Sequence, residues 1–199
     1  GAGNLHSVRK AVARQLPAGA TLSVITEAGL LSEATHIILP GVGAFADCMA
    51  GLHALPGMRS ALEQAVLGKG TPFLGICVGM QMLFERGYEH GNHAGLGWFK
   101  GEVRNITPSD PSLRIPHMGW NALHKRQPNH PLLTGLPEGG HVYFVHSYAA
   151  QGCTPSQVLA TTEYGGEVVA LVGHDKIFGA QFHPEKSQAL GLGLIKNFL

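Results

Sequence analysis

Apolar positions in the first half of the chain switch between two periods. Leu5, Val8, Val12 and Leu16 recur at helical spacing and are closed by Pro17-Ala18-Gly19, which predicts a first helix. Leu22-Ser23-Val24-Ile25 reads as a short strand, and His36-Ile37-Ile38-Leu39 as an apolar strand ended by Pro40-Gly41. Met58, Ala61, Leu62, Ala65 and Val66 form a second amphipathic helix, closed by Gly68 and Gly70. Pro72-Phe73-Leu74-Gly75-Ile76 predicts a buried strand running straight into a helix over 78–86. Strands alternating with helices of this length imply parallel strands joined by crossover helices.

The pattern changes from Gly101. The runs 142–145, 158–161 and 168–172 are strands separated by turns at Gly152, Gly165-Gly166 and Asp175-Lys176, and the last pair, 168–172 then 177–182, reads as a hairpin. A closing helix carries Leu190, Leu194, Ile195 and Phe198 on one face, with Ser187 in N-cap position. The expectation is one α/β domain over residues 1–199, with a mixed, mainly parallel sheet flanked by helices. The chain opens on a helix, whereas a doubly wound sheet feeds its first helix from a strand. The sheet is therefore expected to lack its first strand through truncation before Gly1.

Composition narrows the classes. The 199 residues are 44% hydrophobic and 14% charged, enough for one sizeable core. Fourteen Lys and Arg stand against 13 Asp and Glu, with no basic run, which argues against nucleic acid as a partner. The most apolar stretch, 72–84, is interrupted by Gly75, Gly79 and Gln81 and is too short to span a bilayer. Three cysteines read as free thiols in a reducing cytoplasm. Twelve histidines raise the question of metal, but no H-E-x-x-H and no paired C-x-x-C occurs. His90 and His93 lie in a polar, glycine-containing stretch that reads as a solvated loop, so no metal site is expected.

The sharpest local signal is Gly75-Ile76-Cys77-Val78-Gly79 between a buried strand and a helix. It is the glycine-flanked nucleophile turn, with cysteine in place of serine, and the helix N-terminus favours a thiolate. The competing reading is a buried structural cysteine. Cys48, in a helical context, and Cys153, in a turn, lack that setting and read as packing or exposed thiols. A base is available at His183 in Phe182-His183-Pro184-Glu185, where Pro184 biases His183 to an extended backbone. Glu185, two residues on along an extended segment, falls on the same side as His183 and can orient its ring. An oxyanion needs donors: the N–H of Val78 is one, and Pro40-Gly41-Val42-Gly43 lies at the same sheet edge to offer a second. That glycine segment lacks the context of a dinucleotide fingerprint.

These three segments resemble the signatures of class I, triad-type glutamine amidotransferases, a flavodoxin-like fold. Three more narrow the likeness to the glutaminase subunits of imidazole glycerol phosphate synthases: 116–121 (Pro-His-Met-Gly-Trp-Asn), 143–148 (Tyr-Phe-Val-His-Ser-Tyr) and 185–188 (Glu-Lys-Ser-Gln). The likeness runs from Gly3 to Leu199. It departs in lacking the family's first strand, and in Val78 where the family often has Leu. The resemblance implies Cys77 as nucleophile, His183 as acid and base, and Glu185 as its orienter. It implies Gly41, Val42, Gly43 and Val78 on the oxyanion side, with Gln81, Ser147 and Tyr148 helping to hold L-glutamine. It further implies no cofactor and a heterodimer with a (β/α)8-barrel synthase subunit, contacted through Asn4, Met118, Trp120, Asn121, Tyr143 and Lys186. From the residues themselves, Gln81 reads as a helix-surface residue, Ser147 and Tyr148 as a strand end, and Met118 and Trp120 as either core or docking loop. Three rival readings are a glutaminase serving an anthranilate, guanylate or carbamoyl phosphate synthase, a non-catalytic binding module with an oxidisable Cys77, and a cysteine protease.

Overall fold

A computed structural model describes residues 2–199. Helix α1 (Ala2–Ala13) is followed by strand β1 (Ile37–Gly41), helices α2 (Phe45–Ala54) and α3 (Met58–Glu63), strand β2 (Phe73–Cys77) and the single turn of helix α4 (Val78–Gln81). The second half is built from β3 (Phe84–Gly87), β4 (His93–Ala94), β5 (Phe99–Asn105), β6 (His117–Ala122), β7 (His124–Lys125), β8 (His141–His146), β9 (Tyr148–Gln151), β10 (Val158–Glu163), β11 (Glu167–His174) and β12 (Ile177–Ala180). Helix α5 (Gln188–Phe198) closes the chain.

Among the described residues a six-stranded sheet runs in the order β1-β2-β12-β11-β10-β7, beside a four-stranded sheet β4-β3-β5-β9 and the pair β6-β8. The six-stranded sheet is mixed, but its parallel pairing is confined to β1–β2 and β2–β12. Beyond β12 the pairing is antiparallel, because the chain returns through the hairpin at Asp175-Lys176 instead of a crossover helix. That is less parallel than the pattern of the first half predicts. Strand β2 lies inside the sheet and is buried at all five positions, which is why it reads as an unbroken apolar run.

Three elements differ from the sequence reading. The segment 22–25 pairs with no strand among the described residues, and its Leu22 and Val24 are exposed at 36% and 48%. Without a neighbouring edge to satisfy its backbone, β propensity alone does not make a strand. The helix expected over 78–86 stops after α4, and Phe84–Gly87 turns into β3, paired with β5. Helix α1 ends at Ala13, so Leu16 lies beyond it, half-buried against the core. Ser187 does precede α5, but its hydroxyl makes no cap bond. It is committed elsewhere, as described below.

The core unites both halves of the chain, with Phe45, Phe73, Phe84, Phe99, Phe144 and Phe182 fully buried. Among the described residues no helix is long and apolar enough to cross a membrane, and no cluster of His, Cys, Asp and Glu could hold a metal ion. His93 Nε2 instead faces the His90 carbonyl at 3.4 Å.

Candidate active site

The parallel strands β1, β2 and β12 end at one rim of the sheet, the edge where open α/β sheets gather their ligands. Their register brings the sequence signals together. Gly41 pairs with Cys77 across β1–β2, and Ala180 pairs with Ile76 across β2–β12. The residues that leave β12, from Gln181 to His183, therefore emerge beside Cys77.

Cys77 sits between β2 and α4 with φ 55° and ψ −113°, a left-handed backbone that a cysteine adopts only under constraint. The constraint is a stack of three glycines. A Cβ on Gly79 would be driven into the carbonyl oxygen of Leu39, and one on Gly75 into the carbonyl of Gly79. A Cβ on Gly41 would lie 2.6 Å from the Gly79 amide nitrogen. Only glycine lets β1 approach the turn this closely. As the first residue of α4, Val78 has no intrahelical acceptor for its N–H. Gly43 (φ +96°) and Val42 lie exposed in the loop after Gly41, and the Cys48 thiol is 3.5 Å from the Val42 carbonyl.

His183 is 1% exposed, and its Nδ1–H donates to Glu185 Oε1 at 2.7 Å. Glu185 reaches it differently from the sequence expectation. The chain enters a 3₁₀ turn at Pro184, and Glu185 comes back through that turn, not along an extended strand. Both side chains are buried, and Glu185 Oε2 has no partner, so the imidazole is what balances this carboxylate. Burial alone would lower the imidazole, but the Cys77 thiol and Glu185 outweigh it and push His183 up to about 9. His183 Nε2 makes no hydrogen bond; Cys77 acts on the ring without meeting hydrogen-bond geometry. A thiol beside an imidazole that is held from behind by a carboxylate can form a thiolate–imidazolium pair, and its open nitrogen can pass a proton to a leaving group.

Sequence reasoning missed two residues here. Ser187 Oγ donates to the His183 carbonyl at 2.7 Å and accepts the Tyr143 N–H at 3.0 Å, clamping the turn that carries the dyad. Gln181 is fully buried and donates from Nε2 to Cys77 Sγ at 3.8 Å. The signal for Gln181 was a polar residue at the end of an apolar strand, two places before the histidine.

Gln81 is 3% exposed, not a helix-surface residue. Its Nε2 donates to Tyr148 O and to Gln181 Oε1, each at 3.0 Å. Ser147 and Tyr148 are half-buried where β8 gives way to β9. The candidate docking residues divide. Met118 and Trp120 are exposed at 61% and 47%, which excludes the core reading for both. Tyr143 packs edge-on against Trp120, with the Lys186 ammonium 5.7 Å from its ring. Asn121 turns inward, donating to the Glu163 carbonyl at 2.8 Å, and Asn4 Oδ1 is buried without a partner.

The glutamine amidotransferase class-I family model matches residues 6–199. The chain belongs to that family. Its relatives include proteins named imidazole glycerol phosphate synthase subunit HisH. One from Brucella suis is 52% identical over 205 residues, covering 100% of this chain and 94% of the relative. Another from Rhodospirillum rubrum is 50% identical over 202 residues, with the same coverage. Among solved structures, a glutamine amidotransferase superposes with a TM-score of 0.71 at 18% identity, covering 98% of this chain and 94% of that one. The glutaminase domain of Trypanosoma brucei CTPS with bound acivicin gives 0.61 at 15% identity over 97% and 87%. At that identity the structural likeness speaks for the fold: this is the class I amidotransferase architecture.

Proposed function

We propose that this chain is the glutaminase subunit of an imidazole glycerol phosphate synthase, with Cys77, His183 and Glu185 as its triad. The supporting observation is the buried bond from His183 Nδ1 to Glu185 Oε1 at 2.7 Å, which leaves Nε2 open on a ring that Cys77 influences. Cys77 attacks the side-chain carboxamide carbon of glutamine. The N–H groups of Val78 and of the 41–43 loop, Gly43 among them, stabilise the oxyanion. The tetrahedral adduct collapses as His183 protonates the departing nitrogen, leaving a glutamyl thioester on Cys77 and free ammonia. His183 then takes a proton from water, which attacks the thioester and releases glutamate with the thiol restored. Ser147 and Tyr148 line the approach for the substrate, and the cycle needs no cofactor.

Ammonia is a nucleophile only while unprotonated, and neutral water would convert most of it to ammonium. A synthesis fed by this site therefore calls for a second active site joined by a water-poor path. In this reading that site is on a (β/α)8-barrel synthase subunit, bound as a heterodimer in the cytoplasm through Met118, Trp120, Tyr143 and Lys186. Half-exposed aromatic and methionine side chains in one patch suit such an anchor. The test is glutamate release by the chain alone and with the barrel subunit carrying its own substrate. Strong stimulation is expected; equal turnover in both, or selective capture of an anthranilate, guanylate or carbamoyl phosphate synthase instead, would overturn it.

A further inference from the structure

Besides the imidazole of His183, the sulfur of Cys77 faces a second side-chain donor, Gln181, and that donor can point only one way. Gln181 Nε2 lies 3.8 Å from Cys77 Sγ. A carboxamide could equally present its oxygen to the sulfur by turning over, which would repel a thiolate. The neighbours forbid the turn. The Tyr148 carbonyl can only accept, so Gln81 must present its NH₂ there, at 3.0 Å. The second hydrogen of that NH₂ goes to Gln181 Oε1, also at 3.0 Å. With its oxygen held by Gln81, Gln181 has only its own NH₂ left to face Cys77. The Tyr148 carbonyl is fixed in turn by the His146 Nδ1–H at 2.9 Å. All members of the chain except Tyr148 are buried, so water does not compete for these bonds.

We infer that Gln181 is a working part of the glutaminase site, an oriented N–H donor that steadies negative charge on the Cys77 sulfur, and that Gln81 acts through Gln181 as a positioning residue. The inference rests on Cys77 being the nucleophile. It also gives Gln81 a role distinct from binding the substrate through its NH₂, since both hydrogens are taken by protein acceptors.

The test compares Gln181→Met, which removes the donor at similar volume, with the native chain. Alkylation of the Cys77, Cys48 and Cys153 peptides by iodoacetamide is followed by mass spectrometry at pH 7, beside glutamate release. A hydrogen bond to a charged group is worth enough that its loss should slow alkylation of Cys77 about tenfold. The rates at Cys48 and Cys153 should stay unchanged, a contrast that a general packing defect would not produce. Glutamine turnover should fall by a similar factor, with KM changed less than about twofold. Gln81→Met frees Gln181 to turn over and should act in the same direction by about threefold; it carries the test if Gln181→Met does not fold. Native alkylation at pH 7 in the folded variant overturns the inference. Cys77→Ala separates the two claims: retained turnover there defeats the nucleophile itself, whatever Gln181 does.

Discussion

The N–H of His183 donates to the carbonyl of Tyr143 at 2.9 Å, while the N–H of Tyr143 donates to Ser187 Oγ at 3.0 Å. Strand β8 is thus bonded through its backbone to the turn that holds the dyad. On β6, Trp120 lies opposite Tyr143 in the ladder, and Met118 opposite Val145. The exposed patch and the imidazole are two steps apart through one pair of strands.

Trp120→Ala should weaken association with the synthase subunit by about 2 kcal/mol or more, since tryptophan is enriched among the few residues that dominate interface energies. Its unfolding free energy should stay within about 0.5 kcal/mol of native. Calorimetric titration and urea unfolding check the two halves. Native affinity in the variant would remove Trp120 from the interface.

Glu185→Gln should lower glutamine turnover by on the order of a thousandfold, because the ring loses its orienting charge. The sign of the pH effect also follows. Burial lowers His183 while Cys77 and Glu185 raise it to about 9, so removing the Glu185 charge lets burial act more freely. The alkaline fall in activity, where His183 loses the proton needed by the leaving nitrogen, should move to lower pH. A pH–rate profile of the residual activity reads it directly.

Gly79→Ala should cost about 3 kcal/mol or more in stability, because the new methyl group would run into the backbone of β1 at the Leu39 carbonyl. Gly43→Ala meets nothing within 4 Å and pays only for its positive φ, about 1–2 kcal/mol. Denaturant midpoints of the two variants should fall in that order.

Acid should destabilise the fold through a buried pair of histidines. His117 Nδ1 faces His146 Nε2 at 3.0 Å, both are buried, and burial lowers each to about 4. The folded chain then binds fewer protons than the unfolded one, whose histidines titrate near 6.5. This contribution is therefore present above about pH 6.5 and is lost as pH falls toward about 4. The loss should total a few kcal/mol. His146→Gln should flatten stability across that window, as followed by urea unfolding at several pH values.

Much of the site was legible in the sequence because its chemistry is local. The glycines around Cys77 announce a tight turn, and Pro184 fixes the exit of His183. The partnership between these segments depended on the register of β1, β2 and β12, which no local pattern states. Gln181 is not legible in the sequence because its role comes from two amides and a carbonyl that are distant along the chain. The sequence pattern extends the helix over 78–86 past its end at Gln81 because an apolar run reads alike as buried helix or buried strand. The segment 22–25 has the composition of a strand but no ladder beside it. Asn121 and Asn4 look like surface residues by type, yet the fold turns both side chains inward.

The most direct test of the triad is covalent trapping of the nucleophile. The chain is incubated with a glutamine analogue carrying an electrophilic side chain, with and without excess glutamine, and digested for peptide mass analysis. The expected result is a single adduct on the peptide containing Cys77, suppressed by glutamine and lost in His183→Asn. Adducts spread over Cys48 and Cys153, or an adduct on Cys77 that glutamine does not suppress, would contradict it.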